Sequence, residues 1–387
     1  MYPTITDLIK DIFGLNIPLP IQTFGFFVMV AFIVSGYFLG EELKRKHILG
    51  LLPAIRAKQK IQEKANLVSY FVPAAIGFLI GFKIIEGFMH YSDLVANPQE
   101  FILSSRGNVI GGILVMIYSV WSKYKEDKAA LENPNNTTEP VFVLPQHHVG
   151  NIVIISVVAG FLGAKIFHNL ENLNEFLSDP LGSLVSFSGL TFYGGLIVTT
   201  IALYVYSTKN QMYFPHVMDS AAPALIIGYS IGRIGCQLSG DGDWGINNLA
   251  PKPNWMSFLP DWMWAFRFPH NVIGDGIPIP GCEGPHCNQL QFPVYPTAFY
   301  ETIMAFLIFL FLWAIRKKIN KPLVMFSIYL FLNGCERFLI EQIRVNTEYN
   351  ILGGITQAEI ISFIFIITGA VGFFYFRSKE LKPPMMV

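Results

Sequence analysis

AAPALIIGYSIGRIGCQLSGDGDWG, residues 221–245, carries no charge before Arg233 and consists of apolar and small side chains as far as Gln237. Alanine, glycine and serine in such a run let helices approach closely where lipid surrounds them. An arginine in hydrocarbon is expensive, so it needs a partner or a function. Its planar, permanently charged fork suits a phosphodiester, and it equally suits a carboxylate or a helix end. Comparable apolar runs lie on both sides of this one, each close to the roughly 20 residues that cross the hydrocarbon core as a helix. They cover about 21–40, 66–88, 106–122, 149–170, 190–207, 217–238, 298–315, 322–341 and 357–376. The expected fold is therefore an all-α polytopic membrane protein of about nine transmembrane helices.

The composition agrees. Of 387 residues 52% are hydrophobic and only 14% charged, against about 25% charge in a soluble domain. Formal net charge is zero, so nucleic acid is not an expected partner; the lipid bilayer is. Residues 1–20 read as an interfacial N-terminus, because Ile5, Leu8, Ile9, Ile12 and Phe13 recur at helical spacing. No short basic segment precedes the first apolar run, so no cleaved leader is expected. Residues 21–387 read as one transmembrane domain.

Lysine and arginine mark the cytoplasmic side. They cluster after the first run (Lys44, Arg45, Lys46, Arg56, Lys58, Lys60, Lys64) and at Lys123, Lys125, Lys128, Lys209, Arg316, Lys317, Lys318, Lys321, Arg377, Lys379 and Lys382. The opposite loops hold few. The N-terminus is expected outside and the C-terminus inside, in a multi-pass membrane protein. The loop 239–297 is then extracytoplasmic, with Trp244, Trp255, Trp262 and Trp264 suited to the headgroup layer. A disulfide between Cys282 and Cys287 fits that side, while Cys236 and Cys335 read as small hydrophobes.

Lys83 in GFKII and Lys165 in GAKIF are each followed by a glycine pair, Gly111–Gly112 and Gly194–Gly195. Either one hairpin has been duplicated, making 66–122 an inserted copy, or two apolar segments are alike by chance. Both lysines are expected to reach toward the interface.

The ionisable residues carry the chemistry. Arg337, Glu341 and Arg344 are spaced four and then three apart, so they share one helix face. Glu301, one turn after Pro296, can orient an arginine. His168 reads either as an interfacial hydrogen-bonding histidine or as a base. There is no Walker A sequence, HExxH, zinc-spaced CxxC or G-x-S-x-G, so neither a metal nor a cofactor is expected.

These segments resemble the prolipoprotein diacylglyceryl transferase family. GRIGCQLSGDGDWG (232–245) is similar to its Gly-Arg-x-Gly-Asn-Phe signature with the acidic segment and Trp-Gly that follow, and SGLTFYGGLI (188–197) to its aromatic-His-Gly-Gly-Leu segment. YPTAFYE (295–301) resembles its Pro-Ser-Gln-Leu-Tyr-Glu segment. Arg337, Glu341 and Arg344 match its Arg-x3-Glu-x2-Arg pattern, and GGITQAEIIS (353–362) the opening of its last helix. The likeness covers about 21–40 and 149–376. Departures are Tyr193 at the family's histidine, Cys236 at its asparagine and Phe24 at its first-helix tyrosine. One extra residue leaves Asp241 or Asp243 to stand for its acidic position.

The resemblance implies transfer of the diacylglyceryl group of phosphatidylglycerol to the lipobox cysteine of a prelipoprotein, forming a thioether. Arg233, Arg337 and Arg344 would stabilise the leaving phosphate. Tyr193, His168 or Glu341 would take the thiol proton, Tyr193 first by position. Gly194, Gly195, Gly232, Gly235, Asp241, Asp243, Gly245, Glu301, His168 and Phe24 would line the substrate. Two other readings use the same arginines: a transporter of an anionic substrate or lipid, and a catalytically inactive paralogue.

Overall fold

A computed structural model describes residues 1–57, 67–96, 98–132, 141–185, 191–345, 348–349 and 355–379. Lys58, Lys60, Lys64, Lys382, Gly353, Gly354 and the opening of the 188–197 segment lie outside the described residues. The chain is mostly helical, and it falls into two compact units. One unit is Tyr2–Thr23 with Arg56–Phe142; the other is Met1, Phe24–Ile55 and Val143–Val387.

The smaller unit begins with α1 (Ile5–Phe13). Thr4 and Asp7 close a reciprocal cap at its start, and Gly14, in the left-handed region, ends it. Ile5 is buried, whereas Ile12 and Phe13 are exposed. The rest is a hairpin of α3 (Leu67–Met89) and α6 (Val109–Glu132), with α2 reserved for the helix Thr23–Ile48 of the larger unit. Two six-residue helices join them, α4 (Tyr91–Ala96) and α5 (Pro98–Leu103). Gly81 lies against the Gly111 carbonyl and Val115, where a Cβ would collide with backbone. Lys83 engages the segment that joins the two long helices. Its Nζ donates to the carbonyls of Phe101 (2.9 Å), Ser104 (2.6 Å) and Arg106 (2.7 Å), tying the connecting segment to α3.

The larger unit holds α2, α7 (Val149–Glu171), α8 (Leu173–Ser178), α9 (Pro180–Val185), α10 (Phe192–Lys209), α11 (Phe214–Ser239), α12 (Thr297–Ile315), α13 (Val324–Glu341) and α14 (Gln357–Ser378). Its hairpin α7–α10 follows the pattern of α3–α6. A 23-residue helix is followed by two six-residue helices, with one residue between successive elements. Gly163 meets the Gly194 carbonyl and Val198 as Gly81 meets Gly111 and Val115. Thr191 donates its N–H to the Ala164 carbonyl (3.1 Å) as Asn108 does to Phe82 (2.9 Å). Lys165 is buried, not extended to the surface.

The remaining helices pack around α11. Ala222, Ile226 and Ile227 of α11 meet Ala305, Phe309 and Leu312 of α12 and Met325 of α13. α13 and α14 cross closely at Gly334 and Gly369, each against the other helix's backbone. At one end Asp219 accepts the N–H groups of Leu323 and Phe326 (2.9 Å each) and pairs with Lys46 at 3.2 Å. A buried acid thus satisfies the otherwise orphaned donors that begin α13.

Five helices among the described residues are long and apolar enough to cross a membrane: Thr23–Ile48, Ser69–Met89, Pro145–Glu171, Thr297–Lys318 and Gln357–Ser378. α11 and α13 fall below that mark because they carry Arg233, Glu336, Arg337 and Glu341. The segment between α11 and α12 has its own small core of Trp244, Phe268, Leu290 and Val294. Cys282 and Cys287 are joined in it by a disulfide.

Candidate active site

The start of α10, the end of α11, the start of α12 and the end of α13 meet at one end of the larger unit. They enclose a cavity of about 310 Å³ lined by Tyr193, Tyr229, Arg233, Asn333, Glu336, Arg337 and Arg344, with a wall of Ala358, Ile361, Ser362 and Phe365 from α14. Alternating helix direction brings these sequence-distant ends together, so the three arginines come to share one cavity.

Two carboxylates bind the arginines to one another. Asp243 pairs with Arg233 Nη1 through one oxygen and with Arg344 Nη2 through the other. Glu301 is fully buried. It takes Arg233 Nε at 2.5 Å and Arg344 Nη1 at 3.4 Å, and it accepts the Tyr229 hydroxyl. Tyr229 lies one helical turn before Arg233, and the guanidinium carbon sits 5.1 Å from its ring centre. Burial works against ionisation of Asp243, but the Arg233 and Arg344 charges outweigh it and hold its carboxyl below the usual range. Asp241 lacks that pairing, and burial pushes it up. The acidic position next to the arginines is therefore Asp243, while Asp241 accepts the Asp243 backbone N–H at 3.3 Å.

Backbone closeness fixes this arrangement. Gly245 bridges to Arg344, and its N–H donates to the Tyr295 carbonyl (2.9 Å). A Cβ there would strike the Ile343 carbonyl. Thr297 donates to the Asp243 carbonyl at 2.9 Å, fastening the start of α12 to the acidic segment. Glu341 is held in two ways: its Oε1 accepts the hydroxyl of Thr356, the capping residue of α14, at 2.7 Å, and its Oε2 lies 3.4 Å from Arg337.

Arg233, Arg337, Arg344 and Tyr193 are thus brought to the cavity, with Asp243, Glu301 and Glu341 engaging its arginines. Several other sequence candidates sit differently. His168 does not line the cavity; its Nδ1 meets the Asn172 side chain at 3.3 Å. Gly194 and Gly195 face α7, and Gly235 faces the backbone of Phe24 and the side chain of Phe27. These three glycines serve helix packing. A Cβ on Gly232 would meet nothing within 4 Å. The Phe24 side chain is exposed. Sequence reasoning passed over Tyr229, Asn333 and Glu336. Tyr229 and Glu336 were legible in principle, one four residues before Arg233 and the other adjoining Arg337, as polar groups in apolar helices.

Cys236 Sγ and carboxylate oxygens of Asp241 and Asp243 lie within 4.8 Å of one another. A cation there would compete with Arg233 and Arg344, which already neutralise Asp243.

Residues 134–375 match the family model described as prolipoprotein diacylglyceryl transferase. The chain is 27% identical over 231 residues to a protein of Dehalococcoides mccartyi named phosphatidylglycerol–prolipoprotein diacylglyceryl transferase, covering 59% of this chain and 76% of that one. A protein of the same name from Leptospira interrogans is 26% identical over 292 residues, covering 62% and 82%. One from Corynebacterium glutamicum is 26% identical over 282 residues, covering 71% and 79%. With well over half its length matched, and the Arg233, Glu301, Arg337, Glu341 and Arg344 motifs inside that match, the chain belongs to the prolipoprotein diacylglyceryl transferase family.

Proposed function

We propose that this protein moves the diacylglyceryl group of phosphatidylglycerol onto the lipobox cysteine thiol of a prelipoprotein. The carrying observation is the convergence of Arg233, Arg337 and Arg344 on one cavity. The cysteine sulfur attacks the glycerol carbon that bears the phosphate, the C–O bond breaks with its electrons going to the phosphate, and glycerol phosphate leaves behind a thioether. Charge gathers on the leaving phosphate, so fixed guanidinium donors with little water around them act where it develops. Arg233 and Arg344 are each held by two carboxylates. Arg337 has one ion pair, at 3.4 Å, and its side chain is 27% exposed. A guanidinium carries five donors, so Arg337 is the arm freest to grip the phosphate, and the other two supply a fixed positive wall. Tyr193 adds a hydroxyl at the same depth.

The nine long helices among the described residues would cross a bacterial inner membrane, N-terminus outside and C-terminus inside. The lysine and arginine distribution supports this orientation. So does the Cys282–Cys287 disulfide, since such bonds persist in oxidising compartments. The segment 239–297 would then face outward, and α1 would lie at the interface through Ile12 and Phe13. The hairpin over 66–122 would be a duplicate of α7–α10. The equal lengths and spacing of α3–α5 and α7–α9 and the matching glycine contacts support that reading, and so does its position before the family match at residue 134.

The test supplies purified protein with phosphatidylglycerol micelles and a lipobox peptide. A diacylglyceryl mass increment on the peptide cysteine is expected. An unmodified peptide, under conditions where a relative modifies it, overturns the proposal.

A further inference from the structure

The side chain of Glu336 lines the cavity but belongs to none of its ion pairs. It is 2% exposed, and neither carboxylate oxygen has a hydrogen-bond partner among the described residues. The other acids near the site are all occupied. Asp243 and Glu301 each hold two arginines, Glu341 holds Thr356 and Arg337, and Asp241 accepts a backbone N–H. A buried carboxylate with no donor is costly. Such a group persists where something outside the resting protein supplies the proton.

We infer that Glu336 is the proton acceptor for the attacking thiol, a catalytic role that follows only if the transfer reaction above is the protein's activity. A phenol has an ordinary pKa near 10 and is protonated at neutral pH, so Tyr193 enters the reaction with its own proton in place. Glu336 adjoins Arg337 on α13, so acceptor and phosphate-gripping arm open into one cavity. The thiol S–H proton passes to a Glu336 oxygen as the sulfur lone pair forms the S–C bond. The C–O bond to phosphate breaks, and its electron pair leaves on the glycerol phosphate. That leaving phosphate, now a monoester, takes the proton from Glu336 and restores the carboxylate.

The charges acting on Glu336 come from every side. They are Glu301 of α12, Arg337 on its own helix, Arg233 of α11, and Arg344. Tyr229 and Tyr329 also lie within its electrostatic reach. The wall from α14 adds Ala358, Ile361, Ser362 and Phe365, none of them titratable near neutrality.

The experiment measures transfer to a lipobox peptide in phosphatidylglycerol micelles for the wild type, Glu336→Gln and Glu336→Asp across pH 6 to about 9.5, a range that spans ordinary thiol ionisation near 8.5. Glu336→Gln should lose about 100-fold or more at neutral pH. It should recover as the peptide thiol ionises unaided, a slope the wild type does not show. Glu336→Asp, with its carboxylate set back by one methylene, should fall between them. Thermal stabilisation by phosphatidylglycerol over phosphatidylcholine should survive in both. Wild-type turnover in Glu336→Gln, or an Asp variant no better than Gln, overturns the acceptor role alone. A wild type that transfers nothing removes the role together with the proposed function.

Discussion

Asp243, like Glu301, is a side chain on which arginines from two different elements meet, so a single substitution there disturbs both. Asp243→Asn removes the counter-charge shared by Arg233 and Arg344 while keeping the side chain's size. Breaking a fully buried ion pair costs roughly 3 to 5 kcal/mol. The loss here is smaller, because Asp243 keeps 31% of its side-chain surface exposed. Thermal unfolding in detergent should show that reduction. The arginines hold the folded-state carboxyl below its ordinary range, so its stabilisation is present above the ordinary aspartate value and disappears as pH falls through the lowered one. Acidification should therefore reduce the wild-type midpoint more than that of Asp243→Asn; equal slopes would refute the bridging role. Arg233→Ala should abolish transfer while the protein still inserts, measured as peptide lipidation against membrane-fraction yield. The arginines, Glu301 and Glu341 were legible in the sequence, because charges in apolar helices are conspicuous. The choice between Asp241 and Asp243 was not, since it depends on which carboxylate the folded loop turns toward Arg344. Glu336 was legible as a charge in an apolar helix, but only its missing partners set it apart from the other acids.

At the scale of helices, glycine decides how near two axes come. Gly163 lets the Gly194 carbonyl and Val198 reach the backbone of α7, which sets where α10 begins and hence where Tyr193 stands. Gly163→Leu should force α7 and α10 apart at a cost of about 1–3 kcal/mol, typical of overpacking, and should depress transfer through Tyr193. Gly81→Leu makes the same intrusion between α3 and α6. It should lower the melting temperature comparably while transfer by the folded fraction remains. Loss of transfer in the folded Gly81→Leu protein would show that the hairpin takes part in the reaction. Apolar run length located these helices well. It missed α4, α5, α8 and α9, whose six residues are too short for periodicity to register. Gly194, Gly195 and Gly235 were expected at the substrate, and their contacts are with neighbouring helices.

Over the whole molecule, charge asymmetry and the disulfide lead to one topology, which impermeant labels can examine. In intact spheroplasts a membrane-impermeant maleimide should reach Cys282 and Cys287 after mild reduction. A cysteine placed at Lys318 should stay unlabelled until the membrane is opened. The reverse pattern would invert the proposed orientation. Positive charge supplied the proposed orientation, and hydropathy made the long apolar helices readable from sequence. The division into two compact units was not, since it rests on contacts between segments as far apart as Phe24–Ile55 and Val143–Val387.

The pairing of Arg233 with Asp243 and Glu301 also sets an order of events during synthesis. Asp243 follows Arg233 by ten residues, whereas Glu301 leaves the ribosome only with α12, so the growing chain holds this cation without its buried partner until then. Chains halted before Thr297 should be recognised as unfinished and degraded by membrane quality control, and the arrival of α12 would act as the molecule's own checkpoint.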